Sequence, residues 1–524
     1  MSDNLARQKQ FKNAGKHEEM RRRRAEGSLE LRKQRKEEQL MKRRNVDAHD
    51  LSTEDEKPNV PSGETDRSAD DIKSMSMVEC YEVLQSGNRE RCCKAIETIR
   101  RLLSRQKSPP IDEVIKIGIV PYLAKALFEP SSKVQFEAAW ALTNITSGNQ
   151  NQTLAAVNEG IISPLIQLLS SSDLQVAEQC AWALGNITGD SAVLRDVVID
   201  AGIVDPLINL AKRPDVTTEC MRTLAWTMSN LCRYKTPNIV ALPVVQKLAP
   251  VLAVMIYHLD ASVVCDVCWA LAYISDGNEE RIDLVLNIGV LDRLMQLASG
   301  ADMTLIAPSL RCLGNIVTGD DKQTQIVVDR GVLTNVIPPA LASNKPALTR
   351  EACWLVSNIC AGNAGQIQAV LDAGLLPSII ELLQKGDFRT QVECTWIIYN
   401  VCSGGTPNQA TFLLQNGALS GVCQMLKVKE TRILTLALDT LSLLLGGCAR
   451  IGQLEAATLL VEECEGLDLI EQLQNHENED VYQKALSLVE KYFSETEEIG
   501  AGGEGDGPLE FQNPGGDQTG SFNF

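Results

Sequence analysis

The sequence predicts an all-α protein, a right-handed superhelical solenoid of about ten three-helix repeats spanning residues 74–493. Three observations carry this. First, a Trp is followed by an Asn, or once a Tyr, four residues later at Trp140/Asn144, Trp182/Asn186, Trp226/Asn230, Trp269/Tyr273, Trp354/Asn358 and Trp396/Asn400. A further copy reads Arg311/Asn315; successive slots lie 42, 44, 43, 42, 43 and 42 residues apart, and all six tryptophans are used. Second, a Gly-centred string recurs with the same period: Asn158-Glu-Gly-Ile-Ile-Ser-Pro-Leu returns as Asp200-Ala-Gly-Ile-Val-Asp-Pro-Leu, then at Asn287, Asp329, Asp372 and Gln415. Third, 524 residues exceed one compact core, and the composition, 44 % apolar but only 4 % aromatic, suits stacked aliphatic helices.

Each repeat is built in the same order. The Gly of the recurring string ends a short helix, and the apolar residues and Pro after it start a second, since Pro is tolerated in a first helical turn. That helix runs to Leu168-Leu169, Leu382-Leu383 or their like. A polar turn leads to a third, longer helix carrying the Trp/Asn slot, expected to stop at Gly148, Gly189, Gly277, Gly319, Gly362, Gly404 and Gly446. Three helices per period, turning at a Gly, is the armadillo pattern, in which stacked neighbours share one continuous core. The first repeat (Tyr81–Ser104) and the last ones (Leu438/Ser442 and near Leu486) lack the ladder residues, as capping repeats do.

The flanks differ from this body. Residues 1–44 hold 15 Lys/Arg against 7 Asp/Glu, a balance of +8, while the remainder carries −26. Residues 45–73 read as a flexible acidic linker with Pro58, Pro61 and Gly63, and residues 494–524 as a disordered, acidic, Gly-rich tail. An acidic body with a basic arm implies partners of opposite character, or an arm that binds its own body. The start of the chain is too charged for a signal peptide. The longest apolar run, Ile433–Gly446, is short for a bilayer and contains Asp439, so no membrane role is expected. The 16 Cys, mostly in apolar helical stretches, read as reduced, buried thiols.

Residues four apart share a helix face, so the repeats align each Trp/Asn pair into a column. An Asn amide donates to a peptide carbonyl and accepts from a peptide N–H, gripping backbone whatever its sequence. Adjacent indoles hold the stem of Lys or Arg, each contact contributing ~0.5–2 kcal/mol. Helix axes pack roughly 8–10 Å apart and an extended chain rises about 3.3 Å per residue, so one repeat is expected to match about three peptide residues. Carboxylates stand beside the ladder: Asp190 after Gly189, and Asp266, Glu351 and Glu393, each three residues before a Trp. These should rim the groove and favour a Lys/Arg-rich segment. Tyr273 and Arg311 interrupt the ladder, Arg311 pairing with a neighbouring carboxylate, and split it into a larger site at Trp140, Trp182 and Trp226 and a smaller one at Trp354 and Trp396.

The strings WALTNITSGNQNQT, EQCAWALGNITGD and REACWLVSNICAGN, with the N-terminal RRRR and KRRN elements, closely resemble the importin alpha (karyopherin alpha) family of nuclear import adaptors, over almost the whole chain. That resemblance implies a major site for basic nuclear localisation signals at Trp140, Asn144, Trp182, Asn186, Trp226 and Asn230. Asp190 would pair the critical Lys, with Gly148, Thr153, Gln179, Asp266 and Trp269 lining the site. It implies a minor site at Arg311, Asn315, Glu351, Trp354, Asn358, Glu393, Trp396 and Asn400. The arm, with Arg21, Arg22, Arg23, Arg24, Arg32, Lys33, Arg35 and Lys36, would bind importin beta, and its Lys42, Arg43 and Arg44 would occupy the major site in cis. Repeats near 450–493 would bind an export receptor, and nuclear pore components would be met only indirectly. The protein would shuttle between cytoplasm and nucleus without a cofactor, a metal or catalysis.

Rival readings are weaker. The basic arm could neutralise nucleic-acid phosphates, but the acidic body opposes this. An adhesion or signalling scaffold of beta-catenin type would need a basic groove for acidic partners. An enzyme is disfavoured, with four scattered His and no phosphate-binding Gly loop before a helix. Cys265 and Cys268 form a lone Cys-x-x-Cys inside a helix, without a second ligand pair.

Overall fold

The computed structural model describes residues 42–45, 75–233 and 238–494. The described residues contain helices and no strands. Ten long helices form an inner layer, numbered here α1 (Arg89–Leu103), α2 (Ser132–Thr146), α3 (Leu174–Asp190), α4 (Thr218–Cys232), α5 (Ala261–Ser275), α6 (Met303–Ile316), α7 (Pro346–Cys360), α8 (Phe388–Gly404), α9 (Thr431–Arg450) and α10 (Glu479–Tyr492). Each packs on the next, and shorter helix pairs form the outer layer, giving an armadillo solenoid. The core is aliphatic: Leu142, Leu184, Leu224, Leu271 and Leu313 are fully buried between successive inner helices. Each contributes roughly 1.5–3 kcal/mol by burial.

The recurring Gly does what its string implies. Gly160 and Gly374 sit at φ 74° and 68°, in the left-handed region that ends the first helix and turns the chain into the second. Capping boxes at Asn149/Gln152, Asp320/Gln323, Asn363/Gln366 and Thr406/Gln409 open the first helices. The same glutamines also reach back one repeat: Gln323 Nε2 donates to the Glu279 carbonyl at 3.1 Å, Gln366 Nε2 to Asp321 at 2.8 Å and Gln409 Nε2 to Ala364 at 2.9 Å. Helix caps thus double as staples between repeats.

Some elements depart from the expected pattern. Helix α3 continues through Gly189 and ends at Asp190, and α9 runs through Gly446 to Arg450. At both sites packing overrides the modest helix penalty of an interior Gly. Between α4 and α5, one long helix (Leu242–Met255) replaces the usual pair among the described residues. Helix α9 is 20 residues long and holds an 18-residue window of mean hydropathy 1.5, which meets the length and apolarity of a membrane crossing, as the shorter run read from sequence did not. Its Leu434, Ala437, Leu438, Leu441 and Leu445 are nevertheless buried in the array between α8 and α10.

The 16 cysteines are free thiols. Burial pushes those of Cys232, Cys312 and Cys402 up to about 12. Cys268 is likewise raised by burial, and Ser309 Oγ lies 3.6 Å from its sulfur. Such thiols are poor nucleophiles and poor metal ligands.

Candidate peptide-binding groove

The ladder side chains come from consecutive inner helices, and five of the amides are held in place by the repeat before them, whereas Asn358 Nδ2 is buried without a hydrogen-bond partner among the described residues. Asn186 Nδ2 donates to the Thr143 carbonyl at 3.0 Å, Asn230 Nδ2 to Gly185 at 3.0 Å, Asn315 Nδ2 to Ala272 at 2.8 Å and Asn400 Nδ2 to Ser357 at 2.8 Å. Asn144 Nδ2 finds Ser104 Oγ at 3.1 Å. At Asn144 and Asn186 one amide hydrogen is thereby spent on the scaffold, which fixes the flip of the amide and leaves the other hydrogen and Oδ1 for a ligand, whereas Asn315 Nδ2 also donates to Ser275 Oγ at 3.3 Å.

Residues Lys42–Asn45 of the chain's own arm lie in this groove. Asn186 accepts from the Arg43 N–H at 2.8 Å and donates to the Arg43 carbonyl at 3.0 Å, where Trp182 Nε1 also donates at 2.8 Å. Asn144 treats Asn45 identically, at 2.8 and 3.0 Å, with Trp140 Nε1 donating to the same carbonyl at 3.0 Å. Lys42 Nζ pairs with Asp190 and donates to the Gly148 carbonyl at 2.8 Å and Thr153 Oγ1 at 2.7 Å. Burial pulls this ammonium below its usual value, and the hydrogen bond and charge of Asp190 oppose that shift. The Arg43 guanidinium lies 4.7 Å from the Trp226 ring centroid and 3.2 Å from Asp266, a carboxylate only 1 % exposed. Arg44 donates to the Gln106 carbonyl at 2.7 Å, and Asn45 Nδ2 to Gln179 Oε1 at 3.0 Å.

Two features of this segment were not anticipated. It runs antiparallel to the repeats, with Arg43 on the later Asn186 and Asn45 on the earlier Asn144. It also advances two residues per repeat, not three. Backbone groups of an extended chain face the same edge only at every second residue, so a three-residue step would present the wrong edge to the next Asn. A two-residue step rises about 6.6 Å along the segment.

The interruption has a clear basis. Tyr273 stacks on Trp269, with centroids 5.9 Å apart, and offers no amide. Arg311 Nη2 donates to Glu351 Oε2 at 2.8 Å, its Nε lies 2.7 Å from Oε1 but off the hydrogen-bond direction, and its guanidinium is 4.8 Å from the Trp354 centroid. The expected pairing of Arg311 is therefore present, but Glu351 is not a rim carboxylate. It is 3 % exposed and engaged by Arg311. Burial pushes its carboxyl up, and Arg311 opposes that. Beyond it, Trp354, Asn358, Glu393, Trp396 and Asn400 repeat the same parts on α7 and α8, with Trp396 and Glu393 half-buried.

The sequence reading missed Arg100 and Glu137. Arg100 Nε donates to Glu137 Oε2 at 2.6 Å, and the guanidinium lies 4.4 Å from the Trp140 centroid. Glu137 stands three residues before Trp140, the spacing of Asp266, Glu351 and Glu393 from their own tryptophans, and that spacing was the available signal. Arg21–Arg24, Arg32, Lys33, Arg35 and Lys36, the linker beyond Asn45, and the tail after Ser494 lie outside the described residues.

Comparison with known proteins agrees with this architecture. Residues 7–97 match the family model described as Importin beta binding domain, a span reaching past residue 44 into α1. Residues 107–147, 149–189 and 363–403 match Armadillo/beta-catenin-like repeat, and 455–506 match Atypical Arm repeat. The chain is 39 % identical over 504 residues to Importin subunit alpha-2 of Caenorhabditis elegans, covering 94 % of this chain and 93 % of that one. It is 36 % identical over 502 residues to Importin subunit alpha-3 of Arabidopsis thaliana, covering 94 % and 92 %. The crystal structure of an engineered protein superposes with a TM-score of 0.72 at 25 % identity, over 80 % of this chain and all of that one. With relatives this similar along nearly their full length, and an importin-beta-binding arm joined to armadillo repeats, the chain belongs to the importin alpha family.

Proposed function

We propose that this protein is a nuclear import adaptor whose groove holds the basic localisation signal of a cargo protein, and whose N-terminal arm both recruits importin beta and competes for the groove. The observation that carries this reading is the seating of Lys42–Asn45. A basic segment is gripped by its backbone through Asn144 and Asn186, and by its charges through Asp190 and Asp266. A cargo segment with the same Lys-Arg-Arg pattern would meet the same partners. In this reading the run from Trp140 to Trp226 is the major site, and Trp354 with Trp396 the minor one. A tethered competitor works at an effective concentration of order mM, so the arm depresses cargo binding until importin beta removes it. Shuttling between cytoplasm and nucleus, and recycling by an export receptor at the C-terminal repeats, complete the proposal.

The test is a fluorescence-anisotropy titration of a labelled Lys/Arg-rich peptide against the full chain, with and without importin beta. Importin beta should raise the peptide affinity by at least tenfold. Unchanged affinity with importin beta demonstrably bound would refute the competition, and absence of peptide binding in both arms would refute the groove assignment.

A further inference from the structure

Among the described residues, three guanidiniums lie over ladder indoles: Arg43 of the seated arm over Trp226, Arg100 over Trp140 and Arg311 over Trp354, at 4.7, 4.4 and 4.8 Å. The first is a ligand side chain. The other two belong to the scaffold and reproduce its geometry. Each projects from the inner helix before the indole it covers, and each is ion-paired to the carboxylate three residues before that indole, Glu137 or Glu351. Each also covers the first Trp of a run: Trp140 opens the ladder and Trp354 reopens it after the break.

The register of the seated segment says which ligand residue would need the Trp140 slot. Arg43, gripped by Asn186 of α3, lies over Trp226 of α4, and Asn45, gripped by Asn144 of α2, reaches Gln179 of α3, so each of these side chains meets the inner helix after the one that grips its backbone. The step is two residues per repeat toward the N-terminal end of the array. The ligand residue two past the one gripped by Asn144 therefore falls at Glu137 and Trp140. Every feature that accepts a cation is there, an indole face and a buried carboxylate, and both are already engaged by Arg100.

We infer that Arg100 is a built-in occupant that closes the C-terminal end of the peptide register, so that a cation two residues beyond the Asn144-gripped position adds nothing to affinity. Arg100 is a specificity-determining residue in this view, and Arg311 is its counterpart at the second run. The chain's own arm is consistent with a slot that rewards no cation, because the residue two past Asn45 is Asp47. The inference rests on the peptide-groove reading above and adds the boundary of its recognition.

Two labelled peptides test it, LMKRRNVK and LMKRRNVA, titrated by anisotropy against the full chain. The arm depresses both equally, so their affinity ratio reports the slot alone. Wild type should give a ratio near one. Arg100→Ala exposes Glu137 and the Trp140 face and should favour the Lys peptide by roughly two- to thirtyfold, the span of a cation–π contact. Because that variant leaves a buried carboxylate unpaired, Arg100→Ala/Glu137→Gln serves as a second variant without the lone charge. It should retain the preference at reduced size, through the indole. Ratios near one in both variants, with both peptides still binding, would overturn the inference, as would an equal loss for both peptides. A wild-type ratio well above one would also overturn it. Failure of both peptides to bind wild type would instead overturn the groove reading itself.

Discussion

Gly185 lies directly beneath Trp226: a Cβ at position 185 would stand 2.4 Å from indole Cζ3. Gly314 stands beneath Trp354 in the same way, at 2.2 Å. The residue before a ladder Asn thus makes room for the Trp of the next repeat, and these are the two most deeply buried tryptophans, 2 % and 5 % exposed. Gly185→Ala is expected to push Trp226 off its seat, costing about 1–3 kcal/mol by overpacking and weakening a basic peptide whose Arg stacks there. Gly447→Ala, where the nearest atom would lie 3.8 Å away, should be neutral or stabilise by up to ~1 kcal/mol. Thermal melts of the two variants, with peptide titrations, distinguish them.

The Arg311–Glu351 pair is buried on both sides, at 6 % and 3 % exposure. Glu351→Gln should therefore lower stability by about 3–5 kcal/mol, because it strands a buried guanidinium. Arg311→Met/Glu351→Leu should come within about 1–2 kcal/mol of wild type, since apolar replacements of similar volume remove both desolvation costs. Urea unfolding of the single and double variants checks this, and equal losses would contradict it.

Asp190 holds the ammonium of Lys42, and its carboxylate is nearly buried. Asp190→Lys should weaken a basic peptide by roughly thirtyfold or more, from an energy change of about 2–5 kcal/mol for a desolvated charge pair. Glu455→Lys, on an exposed position of an outer helix, should change affinity less than twofold. Comparable losses in the two variants would remove Asp190 from the site.

Replacing Lys42 and Arg43 together by Ala in the full chain removes the seated cations while keeping the rest of the arm. Free peptide should then bind more tightly, by up to roughly a thousandfold if the tethered segment works at mM effective concentration with ~μM intrinsic affinity. Affinity equal to wild type would mean the arm does not compete.

Trp396 is half-buried, whereas Trp354 is packed under Arg311, so Trp396→Ala is the cleaner probe of the second run. It should leave peptides with one basic cluster unaffected and weaken peptides with two clusters by roughly five- to thirtyfold, a loss of one indole slot. An equal effect on both peptide classes would argue against two sites.

Much of the fold was legible because a period of about 42 residues repeats its own punctuation. A Gly at the first turn and a Trp/Asn pair on the third helix recur often enough to outweigh local ambiguity. The acceptor for Lys42 was legible for the same reason, since Asp190 stands beside a ladder element. The two-residue step was not, because an average helix spacing hides the parity of an extended chain. Glu351 looked like a rim carboxylate because spacing gives a face but not the partner that reaches it from the previous repeat. Arg100 escaped notice since its repeat has no Trp to mark the slot, and the ring it covers is 40 residues later. The second role of Gln323, Gln366 and Gln409 was hidden behind an ordinary capping motif.

Each ladder amide that grips the arm is itself held by a group on the inner helix before it: Asn144 by Ser104, beside α1, and Asn186 by Thr143 of α2. The working unit of the groove is therefore the joint between two repeats, not the repeat. A chain trimmed from its N-terminal end would lose a grip while the Asn itself remained, because the amide would be released to rotate. Duplicating one repeat in the middle would add a joint and lengthen the readable segment by two residues. Length of recognition in this architecture is counted in seams.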